Sequence, residues 1–240
     1  EYNPFEAVQT NILGSQNVIN ASLEEDIETC VCIGTDKAVA PLNTYGATKL
    51  LMEKLFVTAG NYLNPIRHKT KFLAVRYGNV LASNGSIVPK IIEQIKTKKK
   101  ITITDPNMTR FNITMNQALD LIERATTTGK GGEVFIPKLF SYRVGDLKDV
   151  LLDLFEGKNS TEIISVRPGE KLHESLLTID ELRDTYESKH DYILIEKNDF
   201  HTTPDHDYEK TSLNENYSSD KVKLLTKDEL KDILLKEGIL

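Results

Sequence analysis

Apolar positions recur at helical spacing over residues 4–24. Phe5, Val8, Ile12, Val18 and Ile19 form one stripe, and Pro4 stands near the start, where its missing N–H costs nothing. Further helical patterns cover 44–63 (Leu50, Leu51, Leu55, Phe56 and Ala59), 90–97, 114–128 and Val144 to Phe155. β-type runs alternate with them: Glu28 to Gly34, Thr70 to Arg76, Lys100 to Thr104, Glu133 to Pro137, Glu162 to Val166 and Asp191 to Glu196. Asn64-Pro65 ends the second helix, because proline disfavours helix in the residue before it. Asp105-Pro106, Gly131-Gly132 and Pro168-Gly169 mark turns. Residues 198–221 are polar and acidic and read as a surface excursion. Thr226-x-x-Glu229 is a capping box that opens a last helix, to about Lys236.

Composition narrows the classes. The 240 residues suffice for one large domain or two closely packed ones, and the net charge of −6 gives no basic surface for nucleic acid. The run Lys96-Thr97-Lys98-Lys99-Lys100 reads as a solvated helix end. No apolar run approaches the ~20 residues of a membrane span, and no signal peptide is visible. These features predict a cytoplasmic setting with no membrane contact in this stretch. Cys30 and Cys32 alternate along one strand and point to opposite faces, which fits a reduced interior better than a disulfide. His201 and His206 with Asp205 and Asp207 read as a solvated loop, and no metal is expected.

The chemistry concentrates in Gly34-Thr35-Asp36-Lys37-Ala38-Val39-Ala40-Pro41-Leu42-Asn43-Thr44-Tyr45-Gly46-Ala47-Thr48-Lys49. A strand leads in and a helix leads out. Positions i and i+4 share a helix face, so Lys49 lies beside Tyr45 and favours its ionised form. A phenol with an unperturbed pKa near ~10 then becomes a usable base. Ligands of open α/β sheets collect at the carboxyl ends of strands, which places Asn79, after the strand ending at Arg76, to meet one. The small polar loop Ala82-Ser83-Asn84-Gly85-Ser86 suits close approach. Arg110, between a turn and a helix, and Arg167, in the turn before Glu170, offer planar forks of donors to a diphosphate.

Tyr45-x-x-x-Lys49 after a strand resembles the catalytic pair of the short-chain dehydrogenase/reductases. From Glu1 to about Tyr192 the chain resembles, more closely, the inverting UDP-N-acetylglucosamine 4,6-dehydratases of the polysaccharide-biosynthesis group, which feeds pseudaminic-acid and capsule pathways. The resemblance rests on Glu1-Tyr2-Asn3-Pro4, Thr35-Asp36-Lys37-Ala38, Tyr45-Gly46-Ala47-Thr48-Lys49-Leu50 and Arg76-Tyr77-Gly78-Asn79-Val80. It continues through Met108-Thr109-Arg110-Phe111 and Arg167-Pro168-Gly169-Glu170-Lys171-Leu172-His173-Glu174. Beyond residue 196 it is weak, at Tyr217-Ser218-Ser219-Asp220.

The resemblance implies an α/β fold: the C-terminal two-thirds of an extended Rossmann fold, its parallel sheet flanked by helices, with a small α/β substrate domain. Residues 1–88 would be the remaining part of the dinucleotide domain, and 89–197 the substrate domain interleaved with late Rossmann elements. Residues 198–240 would be the polar excursion and last helix. No Gly-x-Gly-x-x-Gly occurs, so the chain is expected to lack roughly its first hundred residues, which would hold that turn. The implied cofactor is NADP or NAD, held by Asn11, Ile12, Tyr45, Lys49 and the loop Val80, Leu81, Ala82, Ser83 and Asn84. The implied substrate is a UDP-sugar, held by Lys37, Asn79, Ile87, Thr104, Arg110, Arg167 and Glu170. The implied catalytic residues are Thr35, Asp36, Lys37, Tyr45 and Lys49, with Lys37 the base at carbon 5 and Asp36 the acid for loss of water. A homo-oligomer is expected of the complete protein. A nucleotide-sugar 4-epimerase needs Tyr45 and Lys49 but not the Asp36-Lys37 pair, and stands as the alternative beside a non-catalytic remnant.

Overall fold

The computed structural model describes residues 3–63, 67–167, 169–196 and 208–239. In chain order they form α1 (Pro4–Ala7), a π-helical turn (Val8–Leu13), α2 (Gly14–Glu24), β1 (Thr29–Ile33), α3 (Thr44–Thr58) and β2 (Lys71–Val75). Then come α4 (Ile87–Lys96), β3 (Ile101–Ile103), β4 (Thr109–Asn112), α5 (Met115–Thr128), β5 (Val134–Pro137), β6 (Phe140–Arg143) and α6 (Val144–Leu154). The last are β7 (Thr161–Ile163), β8 (Ser175–Leu177), β9 (Thr185–Glu187), β10 (Asp191–Leu194), β11 (Glu209–Lys210), β12 (Tyr217–Ser218) and α7 (Lys227–Lys236). Two compact units result. The first takes the described residues of Glu1–Tyr77, Ala118–Lys138 and Ser175–Tyr217, and the second those of Gly78–Gln117, Leu139–Glu174 and Ser218–Leu240.

The first unit is built on a six-stranded sheet of order β1-β2-β5-β10-β9-β11. β1, β2 and β5 run parallel, and β10, β9 and β11 add on antiparallel. Residues 72–75 of β2 are buried without a polar side chain, as a parallel strand covered on both faces requires. Alternation turns Phe72 to one face, where Phe56 of α3 meets it edge-on with ring centroids 6.2 Å apart. Leu73 and Val75 turn to the other, into a core with Leu121 and Ala125 of α5, Phe135 and Ile193. Helices on both faces of a parallel sheet make this a Rossmann-like α/β fold. Arg124 of α5 forks onto the buried Asp191 of β10 through two contacts of 2.7 Å, which fixes the antiparallel extension against that helix.

The second unit is a small α/β body. β3 pairs in parallel with β7, and β4 antiparallel with β6. Val88, Ile91 and Ile95 of α4 pack with Leu147, Val150 and Leu151 of α6, Leu230 and Leu234 of α7, and Ile101 and Ile103 of β3. The capping box at Thr226 is present, with its hydroxyl accepting from the Glu229 N–H and the Glu229 carboxylate accepting from the Thr226 N–H.

Several expectations need correction. The stripe on the first helix is not a core face: Ile19 is buried, but Phe5 is 67% exposed and Val8 and Val18 are also open. Helix 44–63 changes from α to 3-10 geometry over Ala59–Tyr62. Arg110, between the Asp105-Pro106 turn and α5, lies in a short strand, β4, that the sequence did not predict. The excursion 198–221 is not all surface, since Tyr217, Ser218 and Ser219 are buried. β4, β6, β8, β9, β11 and β12 are two to four residues long, too short for a period of two to show. Asn64-Pro65, Pro168 and the His201–Asp207 stretch lie outside the described residues.

Replacing Thr226 by alanine removes one half of the capping box. Denaturant unfolding of the Thr226→Ala variant is expected to show a loss of about 1 kcal/mol.

Candidate functional site

The expected groups fall into two sets, one in each unit. In the first unit, β1 delivers the chain into Gly34, whose N–H donates to the carbonyl of Val75 at 2.7 Å. A Cβ on Gly34 would stand 2.7 Å from that same oxygen, so a side chain would push the strand ends apart. Thr35 then caps a 3-10 turn, Asp36–Ala38. Its hydroxyl accepts from the Lys37 N–H and donates to Asp36 Oδ1 at 2.8 Å. Asp36 is 1% exposed, and Lys37 Nζ lies 3.1 Å from its Oδ1 while the lysine stem reaches the surface. The Asp36 N–H donates to the carbonyl of Tyr77 at 3.2 Å, tying the turn to the segment after β2.

Asn43 starts α3 by accepting from the Gly46 N–H at 2.8 Å, as N-cap asparagines do. That leaves Tyr45 in the first turn, 40% exposed. Lys49 follows one turn later on the same face, its Nζ 5.9 Å from the Tyr45 ring centroid and 3.7 Å from Met52 Sδ. Asn11 sits inside the π-helical turn and donates through Nδ2 to Thr48 Oγ1 at 3.0 Å, while the Thr48 hydroxyl donates to the Tyr45 carbonyl at 2.9 Å. π-turns inside helices are frequent at functional sites. The structure therefore brings Asn11, Tyr45 and Lys49 together, with Thr48 as a buried link that sequence reading passed over. Ile12 is next to Asn11 and half-buried.

Two more residues of the first unit, given no role from the sequence, meet in its core. Glu53 of α3 and Arg76, which follows β2, are both fully buried. Arg76 donates through Nε and Nη2 to the two Glu53 oxygens at 3.0 and 2.5 Å, and through Nη1 to the Leu176 carbonyl and to Glu181 Oε1, both at 2.9 Å. The available signal was Glu53 standing four residues after Lys49 on an otherwise core-facing position.

In the second unit, Glu170 gathers three of the expected substrate residues. Thr104 Oγ1 lies 3.4 Å from its Oε2, the Arg167 N–H 3.2 Å from the same oxygen, and Arg110 Nη2 3.7 Å from its Oε1. Arg110 also reaches Glu174 Oε1 at 3.3 Å through Nε, and the carbonyls of Thr109 and Leu172 through Nη1. Its guanidinium is thus held by carboxylates already, whereas Arg167 is exposed. Gly169 takes a φ of +75°, in the left-handed region that favours glycine. Thr109 Oγ1 lies 2.7 Å from His173 Nδ1 and 2.6 Å from Ser219 Oγ, and Ser219 Oγ accepts from the Glu174 N–H at 2.9 Å. These buried hydroxyls fix the strand bearing Arg110 to the segment bearing Glu170 and Glu174. The loop Val80–Asn84 is anchored where Val80 pairs with Ile113 and the Leu81 N–H donates to the Ile113 carbonyl, with Ala82 at φ +60°. Leu81 is buried, Ala82 and Ser83 half-buried, and Asn84 and Asn79 exposed, while Ile87 opens α4. Among the described residues no helix is long and apolar enough to cross a membrane.

A family model described as polysaccharide biosynthesis protein matches residues 1–196. The chain is 42% identical over 195 residues to a UDP-N-acetylglucosamine 4,6-dehydratase (inverting) of Campylobacter jejuni, covering 81% of this chain and 57% of that protein. It is 36% identical over 241 residues to a UDP-glucose 4-epimerase of Rickettsia massiliae, covering 98% of this chain and 69% of that protein. Among solved structures, Pen from Bacillus thuringiensis superimposes with a TM-score of 0.89 at 38% identity, over 100% of this chain and 71% of that one.

The buried ions make stability depend on pH. Burial alone would raise the Glu181 carboxyl, but the Arg76 charge and hydrogen bonds outweigh it and hold it below the usual range. A depressed carboxylate contributes stability above its unfolded value of ~4.3 and loses it as the pH falls through the folded value. The melting temperature of Glu181→Gln should therefore fall furthest below the parent's near neutral pH, and the gap should narrow below about pH 4.

Proposed function

We propose, from the fact that this chain belongs to the polysaccharide biosynthesis protein family of extended short-chain dehydrogenase/reductase nucleotide-sugar enzymes, that it is a 4,6-dehydratase of UDP-N-acetylglucosamine that inverts carbon 5. The observation that carries this reading is the Thr35-Asp36-Lys37 turn, which holds a carboxylate and an amine 3.1 Å apart at the carboxyl end of β1. An epimerase has no use for such a pair.

Asn11, Ile12, Tyr45, Lys49 and the loop Val80–Asn84 would hold a nicotinamide dinucleotide, NADP in our reading. The Asn11–Thr48 contact and the shared face of Tyr45 and Lys49 fit that group. When bound, it supplies a hydride acceptor that later gives the hydride back. Tyr45 takes the proton of the carbon 4 hydroxyl, with Lys49 beside it as the cation that favours the phenolate. The resulting ketone acidifies the proton at carbon 5. Moving one proton across the Asp36–Lys37 contact converts the ion pair into a neutral amine and a carboxylic acid. Those are the base that removes the carbon 5 proton and the acid that protonates the departing carbon 6 hydroxyl. Arg110 and Arg167 take the diphosphate, and Asn79, Ile87, Thr104 and Glu170 complete the sugar-nucleotide contacts. The greater coverage of the Rickettsia relative supports the second reading, a UDP-hexose 4-epimerase using Tyr45 and Lys49 alone.

NMR-monitored turnover of UDP-N-acetylglucosamine with NADP by the full-length protein separates the two. The expected product is the 4-keto-6-deoxy sugar with inverted carbon 5, and Lys37→Ala should lower its formation by about 10²–10⁴-fold, the usual worth of a general base. UDP-N-acetylgalactosamine as product, with Lys37→Ala fully active, would replace the dehydratase with the epimerase.

A further inference from the structure

We propose that Glu53 is a positioning residue, which sets the distance between the Tyr45–Lys49 helix and the Thr35-Asp36-Lys37 turn through its buried pairing with Arg76; for its role in turnover this rests on the preceding reading. Tyr45, Lys49 and Glu53 are spaced four apart and line one side of α3, running from an exposed phenol to a fully buried carboxylate. The Glu53–Arg76 contact is two-pronged, and the planar fork of a guanidinium fixes orientation as well as distance.

The contacts close on themselves. Arg76 immediately precedes Tyr77, whose carbonyl accepts from the Asp36 N–H. Asp36 follows Gly34 by two residues, and a Cβ on Gly34 would stand 3.2 Å from Glu53 Oε2, so the turn is pressed against the same carboxylate. Glu53 returns to Lys49 and Tyr45 along the helix. Lys49 and Tyr45 therefore lie about one and two helical turns from this ion pair, and the Asp36–Lys37 turn is bonded to the residue that follows Arg76. Glu181 and the Leu176 carbonyl hold the remaining arm of Arg76, leaving the guanidinium no freedom to swing.

A role in stability alone predicts something different. A buried ion pair replaced by apolar residues of similar volume often leaves stability unchanged or raised. The decisive variant is Glu53→Leu with Arg76→Met, made in a Glu181→Gln background of the full-length protein so that no charge is left unpaired, and compared with that background by kcat and KM for UDP-N-acetylglucosamine and by the ring 13C resonance of labelled Tyr45 without substrate. Positioning predicts a cooperatively melting protein whose kcat falls by at least about tenfold, with KM held within about twofold and a displaced Tyr45 resonance. Arg76→Lys in the same background, which keeps the charge and loses the fork, should fall between that background and the double variant. A folded double variant with kcat within about twofold of the background and an unmoved Tyr45 resonance would overturn the proposal. If the double variant does not fold, Glu53→Gln, with Arg76 still paired to Glu181, is judged by the same two readouts. Should the unmodified protein turn over no nucleotide sugar, the preceding reading fails instead, and the Tyr45 resonance alone decides the positioning role.

Discussion

The first unit depends on a charge pair kept away from water. Burial works against the Arg76 guanidinium, but the Glu53 carboxylate, and then Glu181, more than offset it and hold the group charged far above its usual range. Removing one partner of such a pair typically costs about 3–5 kcal/mol, because the survivor stays charged in a poorly polarisable interior. The pair also shapes its neighbours. Burial, helped by the Glu53 charge, pushes the Cys32 thiol up to about 12, so this cysteine is a small apolar filler at neutral pH and not a nucleophile. The carboxylate thus organises the ends of β1 and β2 and the middle of α3 at once.

The second unit solves a similar problem with neutral groups. Thr109, Ser141 and Ser219 are buried hydroxyls that satisfy one another, His173 and the backbone. Hydroxyls rotate to suit their partners: Ser219 Oγ accepts from the Glu174 N–H and donates to the Thr109 carbonyl, while Ser141 donates to the Ser219 carbonyl. Burial pushes the Tyr142 phenol up to about 12, with only a partial counterweight from the Arg110 charge. The expected sugar-nucleotide residues near Glu170 are therefore backed by a network built on buried hydroxyls.

What the sequence made legible was local. The Tyr45–Lys49 spacing, the N-cap at Thr226 and the β1, β2 and β5 runs depend on residues within a few positions of one another, and periodicity finds them. Glu53 and Arg76 are 23 apart and Thr109 and Ser219 are 110 apart, so no window reveals that they meet. Tyr217-Ser218-Ser219 looked solvent-exposed because serine usually is. It is buried because each hydroxyl has a partner, which is the condition under which burying one is tolerable. Arg110 was visible as a cation, but its two carboxylate neighbours were not, since Glu170 and Glu174 enter from a different part of the chain.

The π-helical turn at Val8–Leu13 acts as a frame shift in three dimensions. A helix advances about 100° per residue, and one wide turn slips the angular phase of everything before it relative to everything after. A stripe counted straight through, from Phe5 to Ile19, therefore mixes two phases, and only Ile19 reaches the core. The extra residue swells the helix where Asn11 meets Thr48. A single-residue deletion there would leave a better α-helix by every local measure, yet would rotate Asn11 away from α3. Keeping the Asn11–Thr48 contact therefore fixes the number of residues between Pro4 and Ser15, whatever their chemistry.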